Sequence, residues 1–287
     1  MVSGREIVFW KMHGLGNDYI LIDNRDGKLC EEVLSPLAKK LCKRRFSVGA
    51  DGLLLVYDST VADVRMRIFN ADGSEAEMCG NGIRCLAKYC YENGIVSRSA
   101  INIETLAGVK TVWLSIDKGR VKAATVDMGK PEFERSSIPV TGEGEFINEE
   151  LKVDGEVFRA TCLSVGNPHC VIFVENIDSF PVEYYGPRIE NSPIFPKRIN
   201  VEFVQVVGRD LIRVRVWERG VGETLACGTG ACASVVAGNV LGLIGRECRV
   251  QLLGGELSVK YDEDGRIFMS GPAETVYRGV INLEGLI

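Results

Sequence analysis

A sixteen-residue frame occurs twice in this chain. Arg67-Ile-Phe-Asn-Ala-Asp-Gly-Ser-Glu75-Ala-Glu-Met-Cys79-Gly-Asn-Gly82 and Arg215-Val-Trp-Glu-Arg-Gly-Val-Gly-Glu223-Thr-Leu-Ala-Cys227-Gly-Thr-Gly230 place Arg, an aliphatic, an aromatic, Glu and Cys-Gly-x-Gly at the same offsets, 148 residues apart. Gly16-Asn17 and Gly166-Asn167 repeat at a shift of 150, each after a strand-like run. In a chain of 287 residues that period is close to half the length. It implies two similar halves, each long enough to bury a core of its own.

The local patterning fills in those halves. Short β-branched runs bounded by Gly, Asp and Asn read as strands over Glu6–Met12, Asp18–Asp23, Gly52–Tyr57, Val64–Asn70, Ala100–Glu104 and Val109–Ile116. The second half repeats the style over Ala160–Ser164, Cys170–Val174, Asn200–Val207, Leu211–Glu218, Arg249–Leu253, Glu256–Lys260 and Arg266–Met269. Their close spacing suits antiparallel pairing more than parallel crossovers. Helical spacing is found over Glu31–Lys43 and over Gly82–Glu92, where Ile83, Leu86, Ala87 and Cys90 form one apolar face and Asn93-Gly94 supplies a stop. Gly230–Leu241 is apolar on nearly every face, as expected of a helix enclosed by strands. A shorter helix is expected around Ile177–Tyr185. The fold class is therefore α+β: two pseudo-symmetric domains, each of antiparallel strands wrapped around a central helix. The boundary is expected near Val121–Pro131. Residues 1–125 with 275–287 form one half and 126–274 the other, the final run Thr275–Leu283 being assigned back to the first.

Composition excludes several classes. The net charge is −5 and the basic residues are scattered, so nothing marks a nucleic-acid footprint. The ten cysteines include no Cys-x-x-Cys pair, which argues against zinc and thioredoxin-like chemistry. Met1–Trp10 has no apolar signal core, and the expectation is a reduced, cytoplasmic protein. Cys30, Cys42, Cys90, Cys162, Cys170 and Cys248 read as small core filler. Thr224–Gly245 is 22 residues without a charge, long enough for a membrane span, but its five glycines and its Thr, Ser and Asn favour a buried helix with a glycine-rich entry.

Cys79 and Cys227 stand apart because each is followed by a Gly-x-Gly where a strand and loop enter a helix. Glycines allow a tight turn and the close approach of a ligand. The first amides of a helix lack internal partners and, with the helix dipole, favour an anion. That anion is either a substrate carboxylate or the thiolate itself, whose pKa falls in such a place. Two such halves facing each other would present two thiols to opposite faces of one carbon, which is what inversion at Cα requires. Four other readings compete. The cysteines could be inert core residues. Cys79 and Cys227 could form a regulatory disulfide. Gly228-Thr-Gly230-Ala-Cys-Ala233, with Glu247 further on, fits the dinucleotide fingerprint, although nine residues separate it from the preceding strand run. His13 or His169 could serve a nucleophilic cysteine, which would leave the second motif unexplained. Around the repeat landmarks lie Asn17, Asn70, Asn81, Asn167 and Asn200, whose amides can bind both ends of an amino acid or simply make turns. Glu218 and Arg219 could grip an ammonium and a carboxylate, or form a surface ion pair of little worth.

The motifs Lys11-Met-His-Gly-Leu-Gly-Asn-Asp18, Phe69-Asn-Ala-Asp-Gly-Ser-Glu75, Cys79-Gly-Asn-Gly82, Gly166-Asn-Pro-His-Cys170, Glu218-Arg-Gly-x-Gly-Glu-Thr224 and Ala226-Cys-Gly-Thr-Gly230 together resemble the diaminopimelate epimerases. Leu253-Gly-Gly-Glu-Leu and Met269-Ser-Gly-Pro-Ala fit as well. The resemblance implies reversible interconversion of LL- and meso-2,6-diaminopimelate in lysine and peptidoglycan-precursor synthesis, with no cofactor and no metal. It implies that Cys79 and Cys227 are the acid/base pair, and that Gly80, Asn81, Gly228 and Thr229 bind the reacting end. Asn17, Asn70, Asn167, Asn200, Glu218 and Arg219 would hold the rest of the substrate, with His169 and Glu218 assisting catalysis. It implies a homodimer that engages neither nucleic acid nor membrane. One departure stands out: many members carry Gln in the Gly-x-Asp-Gln loop, and here Gly49-Ala-Asp51-Gly52 ends in Gly52. Another two-thiol isomerase, such as a proline or hydroxyproline racemase, and a non-enzymatic metabolite-binding protein of the same fold remain as alternatives.

Overall fold

The alternating runs become strands because one residue in two can be buried. In the strand over Val64–Asn70, Val64, Met66 and Ile68 are buried while Arg65 and Arg67 are less so. The computed structural model describes residues 6–284. The described residues up to Val126 and from Gly271 onward make one compact unit, and Asp127–Ser270 makes a second.

In the first unit β1 (Glu6–Gly14) and β2 (Asn17–Asp23) form a hairpin through Leu15-Gly16, both at positive φ. Helix α1 (Glu31–Leu41) leads to β3 (Gly52–Tyr57), which runs parallel to β2. β4 (Val64–Asn70) returns antiparallel, β5 (Glu75–Ala76) folds back on it, and α2 (Gly80–Glu92) crosses to β6 (Ala100–Thr105), parallel to β4. β7 (Gly108–Asp117) and β8 (Arg120–Gly129) continue antiparallel.

The second unit follows the same plan. β9 (Glu149–Val153), β10 (Glu156–Ser164) and β11 (Pro168–Phe173) pair antiparallel. Helix α3 (Val182–Glu190) connects to β12 (Asn200–Gly208), parallel to β11. β13 (Leu211–Glu218) pairs with β12, β14 (Gly222–Thr224) folds back, and α4 (Gly228–Val240) crosses to β15 (Glu247–Leu252), parallel to β13. β16 (Gly255–Tyr261) and β17 (Ile267–Gly271) complete it, and β18 (Glu274–Asn282) pairs antiparallel with β1 in the first unit. β18 thus stands to β1 as β9 stands to β10.

Most strand pairs are antiparallel, as the spacing suggests. Among the described residues β2–β3, β4–β6, β11–β12 and β13–β15 are parallel, and each spans one helix, because a parallel return needs a crossover of a dozen residues or more. β8, β9 and the short β5 and β14 have no counterpart among the strands read from the sequence. Helices α2 and α4 begin at Gly80 and Gly228, two residues earlier than the apolar pattern suggests, so the glycines lie within the first turn. Helix α3 begins later than expected, with Pro181 just before its first residue.

Each unit has its own core. Phe9, Ile20, Leu34, Leu37, Leu53 and Phe69 belong to the first, and Cys162, Ile172, Ile189, Val201 and Phe203 to the second. Helix α4 packs against β10, β11, β12, β13, β15 and β16, and buries Ala231, Ala233, Val235, Val236 and Ala237 completely. Burying each valine contributes roughly 1.5–3 kcal/mol. Helix α4 is 13 residues long, and among the described residues no helix is long and apolar enough to cross a membrane.

Candidate active site: a thiol at each helix start

The repeated Arg and Glu have a structural reason. Arg67 Nε and Nη2 donate to Glu75 Oε1 and Oε2 at 2.6 and 2.8 Å, and Arg215 makes the same fork to Glu223 at 2.6 and 2.9 Å. Each fork fastens the β4–β5 or β13–β14 hairpin, from which the chain passes to the cysteine. The cysteine is extended (φ −142° at Cys79, −119° at Cys227) and caps the helix that follows. Among the first-turn residues are Gly80 and Asn81 in α2 and Gly228 and Thr229 in α4, whose amides precede the helical ladder.

In the first half Cys79 is half-buried, and Tyr19 Oη lies 2.9 Å from its Sγ. The same hydroxyl hydrogen-bonds Asn17 Oδ1. Asn81 Nδ2 donates to that oxygen at 3.1 Å, and Asn17 Nδ2 donates to Asp51 Oδ2 at 2.9 Å. Arg84, fully buried, donates to Gly80 O at 3.0 Å, to Asn81 Oδ1 at 2.9 Å and to Pro272 O at 3.2 Å, which braces the first turn of α2. Gly14 leaves room for this arginine, since a Cβ there would lie 3.0 Å from Nη2. Burial, and then the neighbouring Cys79, push the Tyr19 phenol well above its ordinary range.

In the second half Cys227 is buried. Its Sγ accepts from Gly230 N at 3.4 Å and lies 3.4 Å from Thr229 Oγ1. Burial pushes this thiol well above its ordinary value, and the charges of Glu218 and Glu202 push the same way against those two hydrogen bonds. The lowering expected of a helix start is outweighed here, because desolvation acts on the whole charge while two long contacts return little.

His169 is fully buried, with Nδ1 2.7 Å from Glu202 Oε1 and Nε2 2.9 Å from Asn167 Oδ1. Glu202 is also fully buried, and its Oε2 has no hydrogen-bond partner. The carboxylate lies against the first turn of α4, where a Cβ on Gly230 would come 2.7 Å from Oε1.

The remaining sequence-level candidates hold the loops around these centres. Asn70 Nδ2 donates to Ser74 Oγ at 3.0 Å in the β4–β5 turn. Asn200, buried, donates to Pro168 O at 2.8 Å and accepts from Arg219 N at 2.9 Å, which ties β11 to the end of β13. Glu218 Oε1 accepts from Thr224 Oγ1 at 2.5 Å, and the exposed Arg219 donates to Lys197 O at 3.3 Å. All ten cysteines, Cys79 and Cys227 included, are free thiols. The dinucleotide reading loses its context, since β14 intervenes between β13 and α4. Tyr19, Asp51, Arg84 and Glu202 were not among the sequence-level candidates. Tyr19 and His169 are 150 residues apart, the same shift as Asn17 and Asn167, and Glu202 is the one charge in the run Asn200–Val207.

Known proteins resemble this chain along nearly its whole length. The family model described as diaminopimelate epimerase matches residues 9–134 and 161–276. A diaminopimelate epimerase of Pelotomaculum thermopropionicum is 54% identical over 94% of this chain and 97% of its own length. One from Moorella thermoacetica is 50% identical over 96% and 99%. Among solved structures, a hydroxyproline epimerase of Agrobacterium vitis superposes with a TM-score of 0.72 at 14% identity, covering 99% of this chain and 94% of that one. A phenazine biosynthesis protein of the PhzF family from Bacillus anthracis gives 0.71 at 19%, covering 97% and 99%. At those identities the likeness is one of fold.

Proposed function

Because the chain belongs to the diaminopimelate epimerase family, a family of isomerases, we propose that it interconverts LL- and meso-2,6-diaminopimelate through the thiols of Cys79 and Cys227, without cofactor or metal. The observation that supports this reading best is that both Cys-Gly-x-Gly motifs fold to the same place. Each sets one Sγ at the start of its unit's central helix, beside first-turn amides suited to a carboxylate.

Inversion needs a base on one face of Cα and an acid on the other. One thiolate takes the α-proton, leaving a carbanion-like centre, and the other thiol gives its proton to the opposite face. The first sulfur ends as a thiol and the second as a thiolate, the state from which the reverse reaction starts. The α-proton of an amino acid is weakly acidic, so the developing charge must be met by preorganised donors. The amides of Gly80, Asn81, Gly228 and Thr229 supply them at the reacting end. Asn17, Asn70, Asn167, Asn200, Glu218 and Arg219 hold the remainder of the substrate, and His169 and Glu218 support Cys227. Burial pushes the Cys227 thiol well above its ordinary value, which favours its protonated form.

The reaction belongs to lysine and peptidoglycan-precursor synthesis. The protein works as a cytoplasmic homodimer whose partner is diaminopimelate rather than nucleic acid or a membrane. Ten free thiols suit a reduced compartment. Strand β18, with Val276, Tyr277 and Val280 exposed, suits a second copy of the chain. Incubation of reduced protein with LL-diaminopimelate in D2O tests the activity. Deuterium enters at Cα if the reading holds. No exchange in a folded, reduced sample refutes it, and exchange with proline but not diaminopimelate moves the assignment to a different two-thiol isomerase.

A further inference from the structure

The shift that relates Asn17 to Asn167 also relates Tyr19 to His169, and β2–β3 and β11–β12 pair in the same register, Tyr19 opposite Gly52 and His169 opposite Asn200. The second half therefore has an imidazole where the first half has a phenol. Tyr19 is buried, and its hydroxyl reaches two atoms, Cys79 Sγ at 2.9 Å and Asn17 Oδ1. We infer that the Tyr19 hydroxyl is a rotor serving both protonation states of Cys79, donating to Asn17 Oδ1 when Sγ carries its proton and to Sγ when it does not. The inference rests on Cys79 being one of the two acid/base thiols.

The hydrogen-bond accounting admits these two arrangements. Asn17 is held with its amide nitrogen on Asp51 Oδ2 at 2.9 Å and its oxygen on Asn81 Nδ2 at 3.1 Å, so two independent partners set its orientation. Its oxygen has one acceptor site left at ordinary hydrogen-bond distance, where Tyr19 Oη sits, with Cys79 Sγ a longer contact at 3.9 Å. With Cys79 as a thiol, S–H donates to Tyr19 Oη and Oη–H donates to Asn17 Oδ1. With Cys79 as a thiolate, Oη–H turns to Sγ. No proton leaves tyrosine, whose phenol is held far above its ordinary range. The sulfur keeps a hydrogen-bond partner before and after it exchanges its proton, and only the hydroxyl rotates.

The surroundings are built for that ring. A Cβ at Gly52 would lie 3.4 Å from Tyr19 Cδ1 and Cε1 and 2.9 Å from Phe69 O, so glycine leaves the ring its place. The charged and titratable neighbours are otherwise occupied. Asp51 holds Asn17 and Arg44, and Asp18 holds Lys11 and Arg44. Arg84 is committed to Gly80 O and Asn81 Oδ1, and Cys85, pushed up to about 12 by burial, stays a thiol.

Tyr19→Phe keeps the ring and removes the rotor. Alkylation of Cys79 by iodoacetamide, followed by peptide mapping across a pH series without substrate, reads the thiolate directly. The rise of the rate is expected to move to higher pH in Tyr19→Phe, with Cys79 reacting about tenfold more slowly near neutral pH, the size of one charge-assisted hydrogen bond. An unchanged profile in folded Tyr19→Phe overturns the inference. If that variant does not fold, Asn17→Ala removes the rotor's other acceptor and is expected to move the profile to lower pH; no movement, or movement upward, overturns it. Exchange of the diaminopimelate α-proton, measured on the unsubstituted protein, is independent of this readout. A shifted alkylation profile without exchange would leave the rotor standing and remove the epimerase reading, and exchange with an unshifted profile would do the reverse.

Discussion

His169 Nδ1 and Glu202 Oε1 meet at 2.7 Å with both side chains fully buried, and the repeat places Tyr19 and Leu54 at the same two positions of the first half. Glu202 Oε1 takes the Nδ1 side of the imidazole and Asn167 Oδ1 the Nε2 side, which fixes the ring's orientation. The arrangement also leaves Glu202 Oε2 without a partner, a cost the first half does not bear.

A mutational cycle between the two halves measures that cost. Glu202→Leu alone leaves a buried imidazole without its partner and is expected to lose roughly 1–3 kcal/mol in urea unfolding. His169→Tyr with Glu202→Leu copies the first half's pair, and is expected to recover most of that loss, since apolar replacement of a complete buried pair is often neutral or better. Activity should not return with stability. If the double variant is less stable than Glu202→Leu, the buried pair is not an energetic burden.

The thiols carry a pH signature. Cys227 sits well above the ordinary 9.0, and Cys42 is pushed up to about 12, in each case by burial first. An unfolded chain releases these protons near pH 9 while the folded chain retains them. The folded state then binds more protons, so its stability is complete below about pH 9 and declines as the pH rises towards about 12. Urea midpoints at neutral and alkaline pH check the sign, and a midpoint that rises with alkali contradicts it. At neutral pH iodoacetamide should also label the half-buried Cys79 before Cys227, and the opposite order would contradict the protonated resting state of Cys227.

The two halves were legible because the frame from Arg67 to Gly82 returns from Arg215 to Gly230, and because apolar runs bounded by turn residues have little choice but to be strands. The central helices were legible from their apolar faces, but their starts were not. Cys-Gly-x-Gly looks like a loop until the cysteine is seen to be the cap, which puts both glycines inside the first turn. β8 and β9 are hard to read because only four of ten and two of five of their residues are buried, leaving a weak apolar signal. Cys79 and Cys227 stood out through repetition. Tyr19 and Glu202 did not, because each looks like ordinary strand content, and their meaning lies in how the repeat departs from itself.

Strand β18 bears on assembly. Along Glu274–Asn282 all residues but Gly279 and Ile281 are exposed, and Val276 and Val280 each retain 58% of their surface. Exposed apolar strands invite pairing with another chain unless they are protected. Light scattering is expected to give twice the chain mass for the unsubstituted protein and the single-chain mass for Val276→Lys with Val280→Lys. A monomeric unsubstituted protein would refute the assembly.

Gly82 and Gly230 occupy matching places but face different neighbours. A Cβ on Gly82 would lie 3.1 Å from Leu54 Cδ2, a methyl at the tip of a side chain that can turn aside. A Cβ on Gly230 would lie 2.7 Å from Glu202 Oε1 and 3.3 Å from its Cδ, and this carboxylate is held by His169 in a full core. Alanine is favoured over glycine in a helix by about 1 kcal/mol, which offsets mild crowding at residue 82. Gly82→Ala is therefore expected to be near neutral in stability, while Gly230→Ala loses roughly 1–3 kcal/mol through overpacking. In a Glu202→Leu background the further cost of Gly230→Ala should shrink towards that of Gly82→Ala, because the rigid carboxylate has been replaced by the first half's side chain. Urea unfolding of the unsubstituted protein and these four variants measures this coupling. Equal losses at Gly82 and Gly230, or a Gly230→Ala cost that persists without Glu202, would show that the buried carboxylate is not what makes glycine necessary at the start of α4.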